Sequence, residues 1–327
     1  MAGNREIGGY LELERFSGGL FHERAIALNS GRACLEYLIE LRGIKELFLP
    51  DWLCSSVPSV CRKLDVDVET YRIGEDMLPA YDFELPEGAY LYLVDYYGQL
   101  AREDVEEARR LSHGKLIVDE AQGFFRQPWA GADTLYTCRK FFGVADGGYL
   151  YTKDGAILER ELDRDESHGR MGFVLGRFER PAGEFFAESK ANNMHFAHEI
   201  AKLMSPITEN IMCAIDYENV RKTRDRNFAY LHGRLRDYNQ LSLTCSEGPF
   251  MYPLLVGNAG DSRKRLASNG VFVPILWPNV FADTAEGSVA YRYSENILPL
   301  PIDHRYGEKE MDVIYEEIVG SGVLTNA

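Results

Sequence analysis

The sequence is short of positive charge. Its 36 Lys and Arg stand against 51 Asp and Glu, a formal net charge of −15, and no stretch of basic residues locally reverses that sign. Such a chain repels a polyphosphate backbone, so nucleic acid is excluded as a partner. Long apolar runs are missing too. Nothing approaches the roughly 20 apolar residues that span a bilayer, and the opening MAGNREIGGYLELERF carries charges where a secretory signal needs an apolar stretch. A soluble cytoplasmic protein with no membrane partner is expected. The six cysteines, Cys34, Cys54, Cys61, Cys138, Cys213 and Cys245, form no C-x-x-C pair and lie near no histidine set at zinc spacing, which argues against a disulfide framework and a metal centre. His195 and His198 are spaced as two ligands on a helix could be, but without further ligands they read as helix surface. Repeats, low-complexity tracts and Pro/Ser-rich linkers are also lacking.

What remains is a chain of 327 residues, 45% hydrophobic, which suits a large domain with a smaller one attached. The first half alternates strand and helix signals. A helix is expected over 30–41, stopped by Gly43, then a strand over 46–49 before Pro50, a helix after Cys54 and a strand over 66–71. The order repeats with strands at 90–94 and 115–118 around a charged helix at 102–111, followed by strands at 134–138 and 149–152. Short strands alternating with helices imply a mostly parallel sheet covered on both faces. Ligands gather beyond the carboxyl ends of such strands. After Asp216 a long charged helix, the strand-like PFMYPLLVG, a helix over 262–269 and a strand GVFVPI read as a small α+β lobe. The expected division is therefore 1–215 and 216–327.

Three strand ends carry the informative residues. In NSGRAC, Asn29 and Ser30 are good N-cap residues, and the amides of Gly31, Arg32 and Ala33 open a helix whose positive end can bind an anion. An ordinary capped helix is the alternative. In KLIVDEAQ, an apolar run delivers Asp119 to a strand end with Gln122 three residues on; the carboxylate either caps the next helix or pairs with a cation. In TCRKFFGVADGG, Lys140 follows a strand and adjoins Phe141, Phe142 and a glycine pair. It is either an amine hemmed in, poorly hydrated and nucleophilic, or a lysine snorkelling at a strand end.

Together these motifs resemble, in order and spacing, the DegT/DnrJ/EryC1/StrS family of pyridoxal-phosphate (PLP) dependent sugar aminotransferases. SGRACL is similar to the family's S-G-x-x-A-L, PDWLCSSV to its P-x-Y-T segment, DYYG to its H-L-Y-G, VDEAQ to its E-D-A-A-Q, and KFFGVADGG to its lysine followed by E-G-G. The resemblance runs from about residue 25 to 152, with weaker echoes in DYENVRKTRDRNFAYL and LPLPIDHRYGEKEMDVI.

The resemblance implies the aspartate-aminotransferase fold (PLP-dependent transferase fold type I), an α/β architecture with a mostly parallel seven-stranded sheet in a large domain and a smaller α+β C-terminal domain. It implies Lys140 as the Schiff-base lysine, Asp119 opposite the pyridine nitrogen, and Gln122 near the ring hydroxyl. It places Ser30, Gly31, Arg32 and Ala33 at the phosphate, with Thr137 as the nearest hydroxyl. The aromatic that stacks on the ring is open: Cys54 holds the aligned position, with Trp52, Tyr96 and Tyr97 close by. The implied reaction moves an amino group from glutamate or glutamine to a keto-sugar, nucleotide-linked and of the kind used in polysaccharide biosynthesis. A lyase, aldolase or acyltransferase on the same fold, or a non-catalytic relative, is the alternative. The chain departs from the family at Val118, at Asp95 or Tyr96, and at Asp146, and it lacks the N-x-R-M segment that reaches a neighbouring subunit's site. Asn192 and Asn193 stand in that region. A homodimer is still expected, with part of its interface between Phe185 and Ile215, a segment too rich in apolar positions for one helical stripe. The acidic stretch RELDRDESHGR reads as a solvated loop.

Overall fold

A computed structural model describes residues 7–324; the first six residues of the opening segment lie outside the described residues. The strands are β1 (Ile26–Leu28), β2 (Glu46–Pro50), β3 (Asp67–Tyr71), β4 (Tyr90–Val94), β5 (Leu116–Asp119), β6 (Asp133–Thr137), β7 (Gly148–Tyr151), β8 (Met251–Leu255) and β9 (Ile297–Pro301). Among the first seven lie α1 (Gly31–Arg42), α2 (Ser56–Lys63) and α3 (Arg102–Leu111). Then come α4 (Gly172–Glu179), α5 (Phe186–His195), α6 (Pro206–Met212), α7 (Tyr217–Leu235), α8 (Gly260–Ser268), α9 (Val280–Asp283), α10 (Val289–Asn296) and α11 (Glu308–Gly320).

β1 to β7 form one sheet in the order β1-β7-β6-β5-β4-β2-β3. β7 runs antiparallel to both neighbours while the inner pairs are parallel. The central strands are buried along their length, β4 as YLYLV and β5 as LIVD, the pattern of a sheet covered on both faces. Parallel register sets Val94 beside Asp119, and Asp119 beside Leu135, so the ends of β4, β5 and β6 open on one edge.

The second half builds its own apolar core from α7, β8, α8, β9 and α11, with Phe228, Tyr252, Leu266, Leu300 and Ile314 at its centre. Here the expected strand GVFVPI is absent. Residues 270–275 hold no strand and expose Phe272 and Ile275, and β8 pairs instead with the proline-bearing ILPLP of β9. Pro253 faces Pro299 and Met251 faces Pro301 in that ribbon. Positions of one parity need no inward N–H in an antiparallel pair, so prolines fit there at no cost to the ladder. The two halves interleave, because Val280, Ala290 and Tyr293 join the core of the large sheet.

One further expectation is corrected. The acidic stretch after β7 is not wholly solvated: Asp165 and Ser167 are buried, Asp165 pairing with Arg170 at 2.7 Å and accepting from Asn29. Within 185–215, Ala201, Met204 and Met212 are buried in the chain's own core. Leu175, Phe178, Phe186, Met194 and Ile200 are left exposed, the last three inside that segment. Among the described residues no helix is long and apolar enough to cross a membrane, and no group of three or more His, Cys, Asp or Glu could hold a metal ion.

Candidate active site

The carboxyl edge of the sheet bounds a cavity of about 320 Å³, within the size range of small-molecule sites. Ser30, Gly31, Arg32, Asp119, Thr137 and Lys140 all line it, from three separate parts of the sequence. Thus six of the eight expected site residues meet at one place. Ala33 and Gln122 lie behind this wall.

At the start of α1, Ser30 is an extended N-cap whose Oγ accepts the amide of Ala33 at 3.1 Å. The helix ends at Gly43, left-handed with φ 61°, the usual stop for such a segment. Because Ala33 spends its amide on the cap, the anion loop retains the N–H groups of Gly31 and Arg32, which have no partner among the described residues. The glycine pair holds this loop in place: a Cβ on Gly148 would stand 2.7 Å from the carbonyl carbon of Ser30 and 3.0 Å from the nitrogen of Gly31. Only glycine lets β7 approach the loop so closely. Asp146, before that pair, is buried and works elsewhere, accepting from Ser205 Oγ at 2.7 Å and from the hydroxyl of Thr208, so it anchors the start of α6.

Asp119 is buried at the end of β5. Its Oδ2 accepts the Tyr92 hydroxyl at 2.8 Å and its Oδ1 accepts the Ala121 amide at 2.8 Å. Burial pushes its carboxyl above the ordinary range, against the pull of Lys140, the Ala121 amide and Tyr92. An acid so placed stabilises a cationic or proton-bearing group set opposite it. Tyr92 was invisible as a site residue in the apolar run YLYLV. It is two residues before Val94, the register partner of Asp119, and two-residue periodicity puts it on the same face.

Lys140 sits on the turn after β6 with its side chain exposed at the cavity. The expected crowding by Phe141 and Phe142 is not there. Both rings are buried away from the cavity, in a cluster with Phe124, Phe125 and Tyr217, because the turn swings successive side chains to different sides. The Lys140 amine lies over the Phe250 ring, with Nζ 5.5 Å from its centroid.

Gln122 is buried and accepts the Tyr97 amide at 2.9 Å, which fixes the turn after β4. Of the four candidates for a stacking residue, only Cys54 lines the cavity. Trp52 and Tyr96 pack in a tilted pair with ring centroids 4.5 Å apart, Trp52 donates to Ser294 at 3.0 Å, and Tyr97 is wholly buried. These aromatics tie α10 to the large sheet. Also on the wall, and not anticipated, are Tyr92, Ala121, Arg139 and Asn193.

No protein-family model matches the chain, and no curated protein matches it in sequence. Its fold is nonetheless shared with solved structures. The sugar aminotransferase CalS13 from Micromonospora echinospora superposes with a TM-score of 0.66 at 12% identity, covering 91% of this chain and 87% of that one. The aminotransferase TlmJ from Streptoalloteichus hindustanus gives 0.64 at 15% identity, with 92% and 87% covered. The E. coli GDP-4-keto-6-deoxy-D-mannose-3-dehydratase, solved with bound hydrated PLP, gives 0.61 at 13%, with 90% and 87% covered. The chain therefore has the fold of PLP-dependent aminotransferases, a large mostly parallel seven-stranded sheet with a small antiparallel two-stranded one.

Proposed function

We propose that the chain is a PLP-dependent aminotransferase that moves an amino group from glutamate or glutamine to a keto-sugar, nucleotide-linked and serving polysaccharide biosynthesis. The observation that carries this reading is that Lys140, Asp119 and the anion loop at Ser30–Arg32 share one cavity. The residues fit the cofactor: a buried carboxylate for a ring nitrogen, an amine for an aldehyde, and two unengaged amides with the Thr137 hydroxyl for a phosphate. When bound, PLP would supply an electron sink for the bonds at a substrate's α-carbon.

The protein's own groups then divide the work. Asp119, oriented by Tyr92 and Ala121, holds a proton at the ring nitrogen. The Lys140 amine would hold the cofactor's aldehyde carbon and would serve as the base that moves a proton at the substrate's α-carbon. Gly31, Arg32 and Thr137 bind the phosphate, and Ala33 acts through the cap. Gln122 supports the wall through Tyr97.

In the same reading the protein is a cytoplasmic homodimer, divided into a cofactor domain over 1–215 and a small domain over 216–327, with neither nucleic acid nor membrane as partner. The exposed Phe178, Phe186 and Met194 supply apolar surface for the contact between copies. The neighbours include a dehydratase as well as aminotransferases, so the test reads the reaction directly. Purified protein given PLP should absorb in the visible, and borohydride followed by peptide mapping should mark Lys140. Glutamate should bleach the band with about one equivalent of 2-oxoglutarate per site, and Lys140→Ala should abolish band and bleaching together. Marking of another lysine, or a band that glutamate leaves intact, rejects the assignment.

A further inference from the structure

Arg32 and Arg139 put two guanidinium groups on the wall of the Lys140 cavity, and neither forms an ion pair with a carboxylate among the described residues. Both are tied to one residue of α5: Arg32 Nη1 donates to the Asn193 carbonyl at 3.1 Å, and Arg139 Nη2 donates to the Asn193 side-chain oxygen. Arg139 also lies over the Phe196 ring at 4.8 Å, with Arg170 over the same ring at 5.1 Å. Arg170 has its own counter-ion in Asp165. Burial, then the charge of Arg32, pushes the Arg139 guanidinium down to about 10. A protein with net charge −15 has thus gathered two uncompensated cations in one recess, a costly arrangement unless an anion completes it.

Two features select the anion. Lys140 pulls on Asp119, whereas Arg32 and Arg139 are held together by Asn193 of α5, so one cation serves the carboxylate and a separate pair is left for an anion. Moreover, two guanidiniums, the unengaged amides of Gly31 and Arg32, and the Thr137 hydroxyl offer more donors than the two oxygens of a carboxylate accept. A phosphate monoester brings three terminal oxygens and a charge between about −1.5 and −2 at neutral pH.

We infer that the side chains of Arg32 and Arg139, oriented by Asn193, clamp the cofactor's phosphate monoester, so that one chain neutralises that charge by itself. The inference rests on the PLP reading above. It gives Arg139 a binding role, and it adds the Arg32 side chain to the amide contact already assigned to that residue.

Equilibrium titration of apo-protein, followed by absorbance and intrinsic fluorescence, tests the clamp without turnover. PLP and phosphate-free pyridoxal are compared. Arg139→Gln and Arg32→Gln should each weaken PLP by roughly 10- to 100-fold, the range of one charge-assisted hydrogen-bond set. Pyridoxal should change less than about twofold, which also shows that the pocket is folded. Arg139→Lys should recover part of the loss, a point charge replacing a fork. Inorganic phosphate should compete with PLP in the wild type, and more weakly in the glutamine variants. Unchanged PLP affinity in both variants, or an equal loss for pyridoxal, overturns the clamp. Unchanged PLP affinity with weakened binding of glutamate gives the arginines to the substrate and equally overturns it. If the wild type binds neither PLP nor pyridoxal, the cofactor reading itself falls, a result distinct from failure of the clamp alone.

Discussion

Asp119 and Glu120 are chain neighbours, both acidic, both buried and both held above the ordinary carboxylate range by burial, yet they serve opposite sides of the sheet. Asp119 faces the cavity and meets a tyrosine, an amide and the field of Lys140. Glu120 faces away, where its Oε1 accepts the Trp129 indole and its Oε2 is buried beside Asp95 and Gly123. Asp95 in turn stands 3.0 Å from Arg126 Nε and accepts the Leu100 amide at 2.9 Å. The lesson is that burial and a raised pKa do not by themselves mark a functional acid. Asp119 is set apart by what it faces: open volume, a lysine and an anion-binding edge. Glu120 faces no cavity, only the Trp129 indole and the carboxylate of Asp95.

The comparison breaks most visibly at Asp119. Asp119→Asn should leave PLP bound and slow the glutamate half-reaction by roughly three orders of magnitude, about 4 kcal/mol of transition-state stabilisation, because an amide cannot keep the ring nitrogen protonated. Rapid-mixing absorbance measures this directly. A near-normal rate would reduce Asp119 to a structural residue like its neighbour.

Next in size is Asp95→Asn. The amide keeps the Leu100 contact, but Arg126, four-fifths buried by its side chain, loses its counter-ion. Breaking such a pair by removing one partner costs about 3 kcal/mol, which urea unfolding would read. The half-reaction of the folded fraction should keep its rate. A slowed reaction without lost stability would show that the far side of β5 reaches into the chemistry.

How much of this contrast was legible in the sequence follows from the range of the interactions. Lys140, Asp119 and Ser30–Gly31 were readable because each ends an apolar run or opens a helix, and chemistry in a parallel sheet collects at such ends. VDEAQ also pointed to Asp119 rather than Glu120 as the acid at the strand end, and it is Asp119 that lines the cavity. Tyr92 was not, since its bond to Asp119 crosses between strands 27 residues apart and depends on register. Arg139 hid beside Lys140, where the path of a turn decides which side chain enters the cavity. The expected desolvation of Lys140 failed for the same reason, as Phe141 and Phe142 turned the other way. In the small sheet, propensity favoured GVFVPI over ILPLP, and a pairing that tolerates proline at one parity decided otherwise.

The smallest expected effect sharpens the comparison most, because it concerns the residue beside the proposed catalytic acid. Asp95 Oδ2 and Glu120 Oε2 are both buried without a hydrogen-bond donor, apart from the Arg126 ion pair, and both crowd the position a Cβ of Gly123 would take, at 3.1 and 1.9 Å. One proton shared between them satisfies both. Burial and the charge of Asp95 raise the Glu120 pKa well above the ordinary glutamate range, while Arg126 favours charge on Asp95, so the proton belongs on Glu120. Gln replaces a protonated Glu as a neutral donor of nearly the same shape, and Glu120→Gln should cost less than about 1 kcal/mol near pH 5. The sign of the pH dependence then follows. The folded state keeps this proton while the unfolded state releases it above about 4.5, so wild-type stability declines as pH rises from there towards the folded-state pKa. Glu120→Gln removes that contribution and should gain on the wild type between pH 5 and pH 8, with an unchanged glutamate half-reaction. Thermal unfolding across that interval checks it: a variant that loses ground as pH rises would mean that Glu120 is ionised in the folded protein, and the contrast with Asp119 would need another basis.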